Sequence, residues 1–434
     1  SGDCPENQRR ECVIMIFYRL MKTWGVPGVC LSCCVLLICA VSFGLEDQDP
    51  GTGSAQPYFN RPYLTWQGDP STTITINFHT AQAPVPAAVC YGTEGDPGAC
   101  NMQAEGQSRQ IPGLADGRFV NSVELTGLKP GQAYYFNLVG VGEPGKTYAF
   151  STLPDTGAPL RFAIGGDTLA TGIFDRLLGH VAARSPRFVV IGGDLAYANG
   201  DVNQVERWNS WFKFWHQHDT TPEGMLIPLV MAIGNHETND LEGSEEERAP
   251  FYFGFFPQGG KTYFSRRFGA NLGMIVLDSG HLVAPEAQVG WLEERLKEFA
   301  ELPFRAAVYH VPLYPSHRDF NDGRSVDERT FWLPLFDAYS LSVGFEHHDH
   351  DFKRSKRLRN NAVDPEGTLY LGDGNAGVMP RKPNPGLWYL EKTGRESHFW
   401  IVDVTTEEMR FNAVNIRGDV FDETAVMAGT LVEK

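Results

Sequence analysis

The sequence predicts an all-β sandwich followed by a layered α/β domain. Three observations predict it. Residues 57–153 carry short runs of period-two alternation broken by Pro and Gly turns. From residue 160 onward, short apolar runs alternate with longer segments of helical period. Seven of those apolar runs also stop at a residue able to hold a metal or a phosphate.

The chain has 434 residues, enough for two domains, with ordinary apolar (42%) and charged (21%) content. Its formal net charge of −16 argues against nucleic-acid backbones or anionic membranes as main partners. That charge does not exclude an anionic substrate, because bound cations can set the field of a pocket.

The first residues differ from the rest. Residues 29–41 form an apolar run of signal-peptide length, preceded by Met21-Lys22 and followed by Ser42-Phe43-Gly44, with small residues at the −3 and −1 positions of a cleavage site. Residues 21–44 therefore read as a secretory signal, with a membrane anchor as the alternative, and residues 1–20 as a possible upstream extension. The expected location is secreted or periplasmic. Residues 45–56, rich in Asp, Gly, Pro and Ser, read as a linker. Cys4, Cys12, Cys30, Cys33, Cys34 and Cys39 all fall in the leader, leaving Cys90 and Cys100. Two cysteines this close in an exported chain read as one disulfide, with two free buried thiols as the alternative.

In the sandwich, strands are expected over 63–66, 73–78, 119–125 and 134–141. Residues 154–159 are a short linker. The second domain is expected over 160–418, with helices near 174–184, 202–216, 286–302 and 328–339 and a C-terminal tail over 419–434. Trp208, Trp211, Phe212, Phe214 and Trp215 crowd one helix and are expected to pack against a sheet.

The apolar runs end, in order, at Gly165-Gly166-Asp167, Gly192-Gly193-Asp194-Leu195-Ala196-Tyr197, Gly234-Asn235-His236-Glu237, Asp278, His310, His347-His348-Asp349-His350 and Gly372-Asp373-Gly374-Asn375. A buried strand cannot itself present ligands to water, but its C-terminal end can, and sites in open α/β sheets collect there. The donors are carboxylate, phenol, amide and imidazole, with no thiolate, which suits iron, zinc or manganese.

This ordered set resembles the metallophosphoesterases and, through Tyr197 three residues after Asp194, the purple acid phosphatases. The resemblance spans about residues 57–415. Tyr63-Leu64-Thr65-Trp66 and Leu128-Lys129-Pro130-Gly131 with Tyr134-Tyr135 resemble the fibronectin type III-like domain that precedes the catalytic domain in long members of that family. The resemblance implies a catalytic metallophosphoesterase domain of αββα layers. It also implies a dinuclear centre of Fe(III) plus a divalent ion, Zn, Fe or Mn. Asp194 would bridge, Asp167, Tyr197 and His350 would complete the iron side, and Asn235, His310 and His348 the divalent side. A metal-bound hydroxide would attack phosphorus in line, without a phospho-enzyme. His236 would bind phosphate or protonate the leaving group, His317 would be a second outer histidine, and Glu237 would orient His236.

Two motifs depart from the family form. The family's Gly-His-x-His reads His347-His348-Asp349-His350 here. Only His348 and His350 stand two apart, on one side of an extended chain, so His347 is expected to point away. Thr168-Leu169-Ala170 follows Asp167 where the family often has Leu-Gly. Arg318 and Arg324 could reach substrate. The implied activity is hydrolysis of small phosphomonoesters by an exported acid phosphatase, with no membrane partner once the leader is cleaved. The alternatives are a phosphodiesterase or nucleotide pyrophosphatase on the same metals, and a non-catalytic phosphate- or carbohydrate-binding surface protein.

Overall fold

Alternating residues build eight short strands before residue 152. They are β1 (Tyr63–Thr65), β2 (Ile74–Thr80), β3 (Ala88–Gly92), β4 (Met102–Glu105), β5 (Gln107–Arg109), β6 (Phe119–Leu125), β7 (Ala133–Leu138) and β8 (Tyr148–Ser151). They pair antiparallel in two sheets, ordered β1-β2-β6-β5 and β4-β3-β7-β8. The computed structural model describes residues 60–428 except 82, 84–86, 95–100, 142–144, 240 and 373. The expected extension, signal, linker, six leader cysteines and Cys100 lie outside the described residues. Cys90 is buried in β3.

Strand β2 is buried on both faces, although every second residue is polar. Ile74, Ile76 and Phe78 face the sandwich core. Thr75, Asn77 and His79 face the other way and are still covered. Asn77 Nδ2 donates to Thr65 Oγ1, which donates to the carbonyl of Pro257, and the His79 ring lies 4.7 Å from that of Phe255. The sandwich thus sits with a polar face against the second domain, and its buried donors are paired there, as burial requires.

The second domain contains β9 (Leu160–Gly165), α1 (Gly172–Ala182), β10 (Val189–Ile191), α2 (Val205–His218), β11 (Leu229–Met231), α3 (Glu245–Arg248) and α4 (Pro250–Phe255). It continues with β12 (Phe264–Phe268), β13 (Leu272–Val276), α5 (Pro285–Glu298), β14 (Phe304–Val308), α6 (Gly323–Phe331), α7 (Leu333–Ala338) and β15 (Val343–Glu346). It closes with β16 (Phe352–Arg359), β17 (Ala362–Val363), β18 (Thr368–Gly372), β19 (Leu390–Gly394), β20 (His398–Val404), β21 (Glu408–Asn415) and β22 (Val420–Met427).

One sheet runs β11-β10-β9-β20-β21-β22, and the other β12-β13-β14-β15-β18-β16-β17 with β19 on β16. Phe162, Ile164, Val190, Met274, Val308, Phe345 and Trp400 fill the space between them. Helices α1, α2 and α4 cover the outer face of the first sheet, and α5 and α7 that of the second. The layers are αββα, as expected. Trp208, Trp211, Phe212 and Trp215 are buried in that packing.

Two expectations are corrected. The helix placed at 328–339 is two helices meeting at Trp332, because Pro334 has no N–H to continue the ladder. The tail placed at 419–434 begins with β22, which pairs along β21. Of its two buried positions, Asp422 and Val426, one is a carboxylate held by Arg354 and Lys392 at 2.8 Å, so no apolar alternation marks it. Those bonds commit the Arg354 guanidinium to Asp422.

The sandwich and the first sheet share an aromatic stack. Phe188 is fully buried, stacked on Phe162 at 5.0 Å and Phe268 at 4.2 Å, and edge-on to Trp66 at 5.9 Å. Phe188→Ala is expected to cost about 3–5 kcal/mol and to leave one cooperative urea transition. Two separate transitions would show that the sandwich and the α/β domain fold independently of this stack.

Candidate metal centre

The parallel strands β9, β10 and β11 end side by side. Their next residues deliver Asp167, Asp194 and Asn235. Strands β14 and β15, parallel in the other sheet, deliver His310 and the turn 347–350. The ligands therefore converge from two sheets onto one edge of the seam between them.

The delivery is strained. Asp167, Asp194, Tyr197, His348 and His350 have φ of 55°, 54°, 59°, 68° and 58°. Residues with side chains seldom adopt this left-handed region, and where they do the cost is commonly repaid by function. The two histidines do not lie on an extended chain, contrary to the sequence-based expectation. The chain bends at each, and both imidazoles still reach the cluster.

Two groups of side chains have ligand atoms within 4.8 Å of one another: Asp194, His310 and His348, and Asp167, Asp194 and His350. Asp194 belongs to both. His350 Nε2 lies 2.9 Å from Asp167 Oδ1, and the Tyr197 hydroxyl donates to that oxygen at 3.1 Å. His310 Nε2 lies 3.1 Å from Asp194 Oδ2 and 3.0 Å from His348 Nδ1. Asn235 Oδ1 and Asp194 Oδ2 are buried with no hydrogen-bond partner. Orphaned oxygens among imidazoles are what hard or borderline cations coordinate, so this donor set fits metal ions.

His310 shows why a cation is needed. Its Nδ1 faces the carbonyl of Gly192 at 2.9 Å and must donate to it. The neutral ring then points a bare Nε2 at a carboxylate oxygen. Burial disfavours the imidazolium, but Asp194 and Asp167 outweigh it and push this histidine up to about 9. Burial would also raise Asp194, yet His310 holds it well below the usual carboxylate range. Without a metal, a proton fills the gap between them.

Glu237 is buried and accepts the amides of Asp194, Leu195 and Gly234 at 2.7, 2.8 and 2.9 Å. It ties the Asp194 loop to the Asn235 loop, which corrects its expected role as the partner of His236. Burial, then Asp194, push its carboxyl up to about 8. Asn199 holds His236 instead: Nδ1 of His236 donates to Asn199 Oδ1 at 2.5 Å. The His236 ring lies 4.1 Å from that of Tyr197, and its Nε2 is 3.9 Å from Asp194 Oδ2.

His347 is buried outside both groups. Its ring packs on Gly166 and Gly192, where an added Cβ would meet ring atoms at 2.6 and 1.8 Å. Gly234 is needed in the same way, since a Cβ there would lie 2.3 Å from Asp194 Oδ1. His317 is exposed, with its ring Nδ1 on the carbonyl of Lys382 at 2.9 Å, and its amide donates to Asp349 in the ligand turn at 2.9 Å, so its ring lies outside both ligand groups. Arg318 donates to Asp349 at 2.9 Å and to the carbonyl of His348 at 2.5 Å. Asp278 binds the amides of its own turn, His281, Leu282 and Val283. Asp373 lies outside the described residues. Asn199 and His281 were not anticipated, because a polar residue in a loop carries no periodic signal.

Residues 59–152 match the family described as "Purple acid Phosphatase, N-terminal domain", and residues 160–352 match "Calcineurin-like phosphoesterase". The chain belongs to the purple acid phosphatase family. Relatives within it include purple acid phosphatase 15 of Arabidopsis thaliana, 25% identical over 59% of this chain and 53% of its own length. The purple acid phosphatase of Glycine max is 25% identical over 67% of this chain and 69% of its own length. The match thus spans about half of the first relative. Among solved structures, a purple acid phosphatase from yellow lupin (Lupinus luteus) seeds shares the fold with a TM-score of 0.67 at 16% identity, covering 84% of this chain and 73% of that one. PhoD does so with a TM-score of 0.62 at 14% identity, covering 87% and 90%.

Because a metal must displace the proton on His310, binding should release one proton below pH about 9. Apparent zinc affinity should therefore fall as pH drops from that value, by about tenfold per unit for one proton displaced. Competition titration with a chelator between about pH 6.5 and 9 measures it. A flat affinity across that window would remove the proton from the gap.

Proposed function

We propose that this member of the family hydrolyses small phosphomonoesters at a dinuclear centre. Asp167, Tyr197 and His350 would hold Fe(III), Asn235, His310 and His348 a divalent ion (Zn, Fe or Mn), with Asp194 between them. The observation that carries the reading is Asp194, common to both ligand groups and with an unpartnered buried oxygen. Bound ions of this kind supply strong local positive charge and an acidified water as nucleophile.

The chain's own residues supply the rest. Asp194 and Asp167 offset cation charge in a buried site, which keeps the ions in place. His236 stands at the edge of the site with Nδ1 committed to Asn199. Its Nε2 can then give a proton only when the ring is an imidazolium. Burial lowers its pKa and Asp194 works against that, so the proton-donating form belongs to acidic solution. That is the behaviour expected of an acid phosphatase whose leaving alkoxide takes a proton from His236.

Export of the mature chain is proposed on the leader sequence alone, and among the described residues no helix is long and apolar enough to cross a membrane. A Cys90–Cys100 bridge is proposed for the sandwich, worth roughly 2–3 kcal/mol in the loop-entropy model.

Elemental analysis of the purified protein, with a visible spectrum and turnover of a phosphomonoester, tests the whole reading. Two metals, iron among them, a charge-transfer band and turnover are expected. Tyr197→Phe should bleach the band with the fold intact. An iron-loaded wild type without colour would overturn the phenolate assignment. His236→Ala should keep both metals and lower kcat by roughly 10²–10⁴-fold. The loss should be larger for an alkyl phosphate than for an aryl phosphate, whose leaving group needs little protonation. Equal losses would make His236 a phosphate-binding group.

A further inference from the structure

His281 has no role in the ligand set, yet it lies against it. Its ring centroid is 5.6 Å from that of His310. The residue therefore borders the side of the cluster that holds His310. It is 5% exposed.

Its placement is rigid. The His281 amide donates to Asp278 Oδ1 at 2.7 Å, and its carbonyl accepts from Arg248 at 3.1 Å. Arg324 Nη1 lies 3.1 Å from His281 Nδ1 and 3.1 Å from the carbonyl of Ser279. A guanidinium has donors only. Nδ1 must therefore accept, and the neutral ring carries its hydrogen on Nε2. That Nε2–H is buried and has no partner. A buried donor without an acceptor costs stability unless something fills it. Among the described residues nothing does, and the ring beside it is that of the candidate ligand His310.

We infer that His281 is an additional substrate-binding residue, which donates Nε2–H to a phosphate oxygen on the His310/His348 side of the site. Arg324 is its positioning residue, holding the tautomer that makes this possible. The inference rests on the proposed phosphatase reading and adds to it a second imidazole donor. His236 supplies the proton, and His281 supplies a fixed hydrogen bond. The two histidines thus divide tasks through the partner at Nδ1. Asn199 accepts from one ring and so leaves its Nε2 bare. Arg324 donates to the other and so leaves its Nε2 protonated.

The test is calorimetric binding of inorganic phosphate to the metal-loaded protein, with metal content measured on each sample. Wild type should bind phosphate. His281→Ala should retain both metals and bind phosphate about 10–100-fold more weakly, the range for a hydrogen bond to a charged group. His281→Gln, which keeps an amide donor, should recover part of that loss. Arg324→Gln should weaken phosphate binding with His281 intact. Thermal melting identifies a variant that fails to fold, and the Gln variants then decide. Unchanged phosphate affinity in the folded His281 variants at full metal content would overturn the inference and leave the parent reading standing. Loss of one metal in His281→Ala would also overturn it, because His281 would then act by supporting His310. A metal-loaded wild type that does not bind phosphate would instead overturn the parent reading.

Discussion

Asp194 is the constraint on which the rest of this domain depends. A carboxylate that is 1% exposed, with one oxygen lacking a hydrogen bond, is a costly thing to bury. The protein surrounds it with compensations of three kinds. His310 lends a proton when no metal is present. The amide of His236 binds the other oxygen at 2.8 Å. Glu237 grips the backbone of Asp194 itself and of the neighbouring loop, so the carboxylate cannot swing out to water. Each device holds charge in place without neutralising it fully. What remains is an electrostatic deficit that cations would fill.

The layered fold explains why the deficit can be shared by two ions. Asp167, Asp194 and Asn235 come from the ends of parallel strands in one sheet, and His310, His348 and His350 from the other. Neither sheet alone presents both ligand groups. Packing the sheets face to face brings the two strand edges together, and Asp194 becomes common to both. The large core between them, from Phe162 and Ile164 to Val308 and Phe345, is therefore what fixes the distance between the ligand groups. The sandwich contributes to that rigidity through Trp66 against Phe188 and through Arg118, which reaches Asn209 on α2 at 2.6 Å.

Much of this was legible in the sequence because the central strands are buried on both faces and so appear as uninterrupted apolar runs. A run that stops at Asp, Asn or His marks both a strand end and a ligand. Strands with polar inward positions gave no such signal. β16 reads Phe352-Lys353-Arg354-Ser355-Lys356-Arg357, and its polar positions are satisfied by ion pairs, Lys353 with the nearby Glu346 and Arg354 with the distant Asp422. β22 was hidden for the same reason. In the site, the candidate ligands were named from order and residue type. The supporting residues did not, since Glu237, Asn199 and His281 matter through hydrogen bonds that only the folded loops create. The choice of His348 and His350 agrees with the observed clusters, although its premise of an extended chain does not hold, because φ at both residues is left-handed.

His347 shows how one departure can be absorbed. In the family motif this position is a glycine, and a histidine there needs space that a tightly packed strand end rarely has. The space is present because two facing positions, Gly166 and Gly192, have no side chains. The imidazole lies across both of them, beneath the loops that carry Asp167 and Asp194. Its backbone is held as well: the His347 amide donates to the carbonyl of His310 at 3.0 Å. The substitution thus replaces a gap with a ring that touches the supports of both carboxylates and of His310 at once. A side chain there stiffens the floor of the site, and the strain at Asp167, Asp194, His348 and His350 is borne by a packed surface.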